Sequence, residues 1–236
     1  MYSRHTYLNE PEKPTQRLWR YLKYERLLEL INEGNLYFPH ITRMSDKWEG
    51  LLTKKTEEKL FWAEYAKYNN AEVAKESTKE YEKHKDAFYI NCWHMNNQES
   101  YLMWKVYGDR GCAIQTTYER IVTSFHNAPA EINGGVVNYI DYEREQFPLG
   151  NTFWSVSHKD IPYKDEREFR LFYWKLSLPN QNLPVEETGV KIAVDADILI
   201  ENIYINPATL FDADKLAEAI NNKSLSCEIK KSRIRE

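Results

Sequence analysis

Glycine is scarce in this chain, at 8 of 236 residues. None of the eight forms the Gly-rich run that cradles phosphates, and no Gly-x-Ser-x-Gly elbow offers a hydrolase serine. The three cysteines, Cys92, Cys112 and Cys227, are far apart and odd in number. That excludes a disulfide framework and a paired-thiolate zinc site, and it fits a reducing compartment. No two histidines stand four apart on a helical pattern, so no metal site is expected. No apolar run approaches the roughly 20 residues that span a bilayer, and no membrane partner is expected. No apolar signal segment follows Met1–His5, so a cytoplasmic location is expected. The formal net charge is −4, so the whole chain carries no basic footprint for nucleic acid, although a local basic groove remains compatible.

What is present is aromatic and charged. Hydrophobic residues make up 42% and charged residues 29%, which describes a folding chain rather than a disordered one. The 17 Tyr and 7 Trp either fill a core or form stacking surfaces. With no repeat, low-complexity tract or linker, residues 1–236 read as a single domain.

Apolar periodicity sets the expected elements. Arg17–Leu22 reads as a strand on which Arg20 shares a face with Leu18 and Leu22. That is unusual, because a buried guanidinium needs partners; an edge strand with Arg20 reaching water is the alternative. Tyr24–Glu33 reads as a helix ended by Gly34, and Leu36–Phe38 as a strand. Met44–Gly50 is a loop that sets Asp46 and Glu49 around Trp48. Residues 54–85, rich in Lys and Glu, read as one or two exposed helices forming a charged insertion. Tyr89–Met95 is a strand, Asn96-Asn97 a turn, and the next segment a helix whose apolar stripe is Leu102, Met103, Val106 and Tyr107. Cys112–Thr117 is a strand, Tyr118 to Phe125 a helix, and Gly134-Gly135 a turn into a strand over 136–140. Tyr163–Trp174 gives a strong strand signal. Further strands are expected at Gly189–Val194, Ile203–Ile205 and Ser226–Ile229, with a loop over 180–189 and a helix started by Asp212 or Asp214. Strands separated by helices of uneven length, without a βαβ rhythm, indicate an α+β fold with a central mixed or antiparallel sheet flanked by helices.

Two places suggest chemistry. The strand–turn–helix join presents Trp93, His94 and Trp104 together, which suggests a pocket. On a strand, Glu166, Glu168, Arg170 and Phe172 would share one face, setting two carboxylates and a guanidinium side by side. Carboxylates that close push their pKa values apart and can hold different roles. An exposed face with cross-strand ion pairs is the alternative.

A set of short motifs in fixed order then resembles domain-of-unknown-function family 2971 of bacteria and phages. They are Leu18-Trp19-Arg20-Tyr21, Gly34-Asn35-Leu36-Tyr37-Phe38, Asp46-Lys47-Trp48-Glu49-Gly50, Cys92-Trp93-His94-Met95, Met103-Trp104-Lys105-Val106-Tyr107-Gly108 and Glu166-Arg167-Glu168-Phe169-Arg170-Leu171. That family in turn resembles the ADP-ribosyltransferases, which carry a basic residue on an early strand, a central aromatic and a late Glu-x-Glu. Asn91-Cys92-Trp93-His94 stands where their Ser-Thr-Ser strand would be. The resemblance implies a split-sheet fold and an enzyme using NAD as substrate, acting as a toxin or anti-phage effector on nucleic acid or protein, with an antitoxin as a further partner. It implies Glu168 and Glu166 as catalytic residues, and Arg20, Tyr21, Trp93, His94, Trp104 and Tyr107 around NAD. Asp46, Trp48, Glu49 and Arg170 would meet the acceptor. A metal-dependent nuclease using Asp46, Glu49, Glu166 and Glu168, and a nucleotide-binding module without turnover, are the rival classes.

Overall fold

The computed structural model describes residues 1–108, 110–175, 185–186, 188–206, 208–209 and 213–234. Along the chain it forms β1 (Arg17–Leu22), α1 (Tyr24–Glu33), β2 (Asn35–Pro39), α2 (Lys54–Tyr68), α3 (Ala71–Lys83), β3 (Phe88–Met95), α4 (Tyr101–Tyr107) and β4 (Cys112–Thr117). Then follow α5 (Tyr118–Ser124), β5 (Asn133–Val136), β6 (Asn138–Ile140), α6 (Phe153–Ser157), β7 (His158–Asp160), β8 (Glu168–Trp174), β9 (Val185–Glu186) and β10 (Gly189–Ala193). The chain ends with α7 (Ala196–Leu199), β11 (Asn202–Ile205), α8 (Ala213–Asn222) and β12 (Glu228–Lys231). The expected loop over 180–189 and the start at Asp212 fall partly or wholly outside the described residues.

The fold is α+β. A seven-stranded sheet runs β12-β11-β4-β1-β3-β8-β5, and a three-stranded sheet runs β2-β10-β9. In the large sheet every pairing is antiparallel except β11 with β12. One face of the large sheet gives Leu18, Trp93, Ile114, Phe169 and Ile203 to the main core, which Leu27 and Ile31 of α1 and Phe38 and Val190 of the small sheet complete. Strand alternation then sends Trp19, Cys92, His94, Glu168 and Arg170 to the opposite face. No described helix is long and apolar enough to cross a membrane.

Local chemistry explains the boundaries. Gly34 stands at φ +63° after α1 and donates its N–H to the Leu30 carbonyl, the left-handed stop glycine favours. Residues 54–83 form a two-helix hairpin. Asn69 ends α2 in the left-handed region, and the Asn70 side chain caps α3 by accepting from Glu72 and Val73.

Three expectations are corrected. Gly134 and Gly135 lie within β5, not in a turn before it. A Cβ on Gly134 would stand 2.7 Å from the Phe169 ring, so close packing, not turn geometry, selects glycine there. The stripe expected on α4 is displaced: Leu102 and Val106 are 48% and 56% exposed, while Met103 and Trp104 are buried. The indole of Trp104 packs edge-on against Tyr21, 5.0 Å between ring centres, and that contact sets the helix's rotation. Finally, residues 161–166 form a 3₁₀ turn, and the strand begins only at Glu168.

Candidate active site

β1 lies along β4 for all six of its residues, and β3 follows β8 from Phe88 to His94. Between β1 and β3, however, only Leu18 with Met95 and Trp19 with His94 are in register. The sheet parts beyond that point, and a cavity of about 330 Å³ opens there. Arg20, the next residue of β1, bridges the gap: its Nη1 donates to the Cys92 carbonyl at 2.8 Å. Trp19, Tyr21, Trp93, His94, Met103 and Tyr107 form the cavity's aromatic and apolar walls. Arg43 stands at its exposed rim, and Glu49, Lys159, Glu166 and Glu168 form its floor.

Beneath the floor, the Arg170 guanidinium is completely buried. It donates to Glu49 through Nη1 at 2.8 Å and Nη2 at 2.7 Å, and to Glu168 through Nε at 2.8 Å and Nη2 at 3.2 Å. Nη1 also donates to the Val156 carbonyl at 2.8 Å. Two planar forks sharing one guanidinium is a geometry Arg can satisfy and Lys cannot. Lys159 supplies the second cation, at 2.5 Å from Glu166, 2.7 Å from Glu168 and 3.3 Å from Glu49. Tyr107 donates its hydroxyl to Glu166 at 2.9 Å.

Segments distant in the chain supply these groups. Glu49 is drawn inward by the Arg170 guanidinium, and Gly50 follows at φ +73°, where a Cβ would strike Ile41 at 2.7 Å. Lys159 is held by the parallel pairing of β7 with β6, which sets it opposite Tyr139. The Tyr139 hydroxyl accepts the N–H of Glu168, so the small ladder and β8 are tied at the site. Arg167 sits at φ +42°, in the left-handed region between the 3₁₀ turn and β8. Glu166 therefore reaches the floor from the end of that turn, not from the strand face expected for it.

Three carboxylates meet two cations, which leaves one negative charge unmatched. Burial alone would raise Glu168, but Arg170 and Lys159 outweigh it and hold its carboxyl well below the usual range. Glu166 moves the other way. Burial and then the hydrogen bond and charge of Glu168 raise it, and Lys159, shared among three carboxylates, only partly opposes them. Of Glu166 and Glu168, Glu166 is thus the one that takes a proton first. Burial lowers Lys159, yet Glu168 and Glu49 raise it further, so it stays an ammonium. Burial lowers Arg20 to about 10, which leaves it charged at neutral pH.

His94 Nδ1 lies 2.6 Å from the Glu166 backbone carbonyl. A carbonyl only accepts, so Nδ1 carries the hydrogen, and Nε2 holds a lone pair in the neutral ring. That Nε2 has no partner, and neither does the Trp93 indole N–H. Burial, and secondarily the Arg167 charge, lower His94 below its ordinary value despite the carbonyl bond.

Of the expected site residues, Arg20, Tyr21, Glu49, Trp93, His94, Tyr107, Glu166 and Glu168 share this cavity. Arg20 pairs with a backbone carbonyl, not with either acid. Trp104 lies one layer behind, against Tyr21, with its indole N–H donated to Glu99 at 3.0 Å. Arg170 is no acceptor contact: its donors are taken by Glu49, Glu168 and Val156. Asp46 and Trp48 do not line the cavity. The Asp46 side chain accepts the Trp48 N–H at 2.9 Å, and the Trp48 ring points outward, 63% exposed. Sequence reasoning missed Lys159, Arg43 and Trp19. A lone Lys in Ser157-His158-Lys159-Asp160 has no pattern of its own, because lysine is exposed by default. Trp19 was visible on the face of β1 opposite Leu18.

Comparison of the chain with models of known families, with curated proteins and with solved structures finds no match.

Proposed function

We propose that this cavity is the active site of an NAD-dependent ADP-ribosyltransferase of the cytoplasm. Its acceptor would be a nucleic acid or a protein, its role that of a toxin or anti-phage effector, and a dedicated antitoxin its partner. One observation carries the reading: Glu168 and Glu166, displaced to opposite protonation behaviour, form the floor of an aromatic-walled cavity where the sheet divides. Breaking the bond between nicotinamide and ribose develops positive charge on the sugar. A fixed, desolvated carboxylate such as Glu168 stabilises that charge without reorganising at the moment of reaction. Trp19, Tyr21 and Trp93 offer ring faces and edges to a flat heterocycle. Arg20 and Arg43 are cations without a carboxylate partner among the described residues, and they suit a diphosphate. The cavity is at the small end of ligand sites, so it would enclose the nicotinamide riboside half while the adenosine half crosses the rim. A metal-dependent nuclease is not favoured, because, of its four carboxylates, Asp46 lies off the cavity, accepting the Trp48 N–H, and Glu49 is held by Arg170 under the floor. Among the described residues no group of three or more His, Cys, Asp or Glu is arranged to hold a metal.

The test is nicotinamide release from NAD by the wild-type protein, alone and with single-stranded oligonucleotide or protein acceptors, beside the Glu168→Gln variant. Removing one preorganised electrostatic contact costs about 10²–10³ in turnover. Nicotinamide release reduced by that factor, in a variant that keeps its circular dichroism at 25 °C, supports the assignment. Full turnover in Glu168→Gln rules it out. A wild type that consumes no NAD under any of these conditions leaves the binding module as the reading.

A further inference from the structure

The proposed transfer needs a group that takes the acceptor's proton. Glu166 is the second catalytic residue the resemblance implies, but both of its oxygens already accept hydrogen bonds. Oε1 accepts from Tyr107 at 2.9 Å, and Oε2 accepts from Lys159 at 2.5 Å. Glu168 is a poor base, because Arg170 and Lys159 stabilise its anion. His94 differs. It lines the cavity, is 97% buried at 3% exposure, and has its ring fixed by Nδ1–H donation to the Glu166 carbonyl. Its Nε2 lone pair has no partner.

We infer that His94 is the general base of this site, taking the proton of the acceptor on Nε2. The inference rests on the transferase reading and names the residue that reading lacked. The acceptor O or N bonds to C1′ of the ribose. The C1′–N1 bond breaks, and its electron pair leaves with neutral nicotinamide. The acceptor's proton goes to Nε2, giving an imidazolium. Glu168, the cross-strand partner of His94 on β8, is the anion placed to stabilise that cation. The groups facing His94 are Tyr21 on β1, with ring centres 6.4 Å apart, Glu166 and Arg167 on the turn, and Glu168 on β8. Lys159 and Tyr107 share the cavity. Burial and Arg167 keep the ring neutral, so the basic form is the one present at pH 7. A base oriented by hydrogen bonding at its far nitrogen is the arrangement nucleophile-activating histidines use.

The experiment measures NAD hydrolysis, with water as the acceptor, by the wild type and by His94→Asn from pH 5 to 9. Asparagine retains a donor where Nδ1–H stood and deletes Nε2. A general base contributes about 10²–10⁴-fold, so kcat should fall by that factor while KM for NAD changes by less than about threefold. The wild-type kcat/KM should lose activity below a single acid limb under pH 6.5, and His94→Asn should lack that limb. Added imidazole then decides: recovery of hydrolysis by His94→Asn supports the base role, and no recovery overturns it. A variant with wild-type kcat and the same acid limb overturns the inference, as does one altered only in KM. If His94→Asn does not fold, His94→Gln replaces it, and absence of an acid limb in the wild type overturns the inference without any variant. A wild type that releases no nicotinamide from NAD, alone or with either acceptor, instead removes the transferase reading itself.

Discussion

The α2–α3 hairpin and the floor of the cavity are both built from Lys, Glu and aromatic residues, yet they treat charge differently. In the hairpin, Lys83 and Glu80 pair at 2.8 Å with 61% and 62% of each side chain in water. In the floor, Lys159 and Glu168 pair at 2.7 Å with 5% of each exposed. The hairpin also leaves Trp62 on its surface, whereas Trp19 and Trp93 are enclosed. Solvated pairs exchange water for each other at almost no net gain. Buried pairs have lost their hydration, so each charge depends on every partner it has. The same residue types therefore yield a tolerant surface in one place and a brittle, preorganised site in the other.

Arg170→Met breaks the contrast most severely. It leaves Glu49 and Glu168 desolvated without their shared cation, and a loss of about 3–5 kcal/mol is expected in urea unfolding. An effect under 1 kcal/mol would show that the floor is solvated like the hairpin.

Glu166→Gln sharpens the comparison through pH. The folded pKa of Glu166 is raised, so its contribution to stability is present below the unfolded carboxyl value and is lost as pH rises through the folded value. Glu168 has the opposite sign: its contribution is present above the unfolded value and is lost as pH falls through its depressed folded value. Glu166→Gln should therefore remove a decline in melting temperature on the alkaline side of the unfolded carboxyl pKa and leave the acid-side loss in place. Unchanged curves on both sides would mean that Glu166 titrates as a surface carboxylate does.

The smallest effect is expected in the hairpin. Trp62→Ser should shift stability by no more than about 0.5 kcal/mol, read from the urea midpoint. A larger loss would show the hairpin to be packed, not solvated.

Much of the scaffold was legible because its signals are local. The α1 boundaries follow from the spacing of Leu27, Leu28, Leu30 and Ile31 and from Gly34. The β3 and β4 strands follow from their alternating or apolar pattern, and the helical character of the hairpin from its Lys/Glu pattern, which left open one helix or two. The α4 stripe misled, because Leu102 and Val106 have the right spacing but the Tyr21 ring takes Trp104 instead.

By itself the sequence determined the α+β class, most of the elements and the proximity of Glu168 to Arg170, since two residues apart on a strand must share a face. Only the tertiary structure decided that Arg170 is sealed under the floor, that Glu49 enters it while Asp46 and Trp48 turn away, and that Lys159 completes it. It also decided where the sheet parts. These outcomes depend on contacts between residues 7 to 121 positions apart. Local periodicity carries no information about such partners, and a buried charge acquires its meaning only from them.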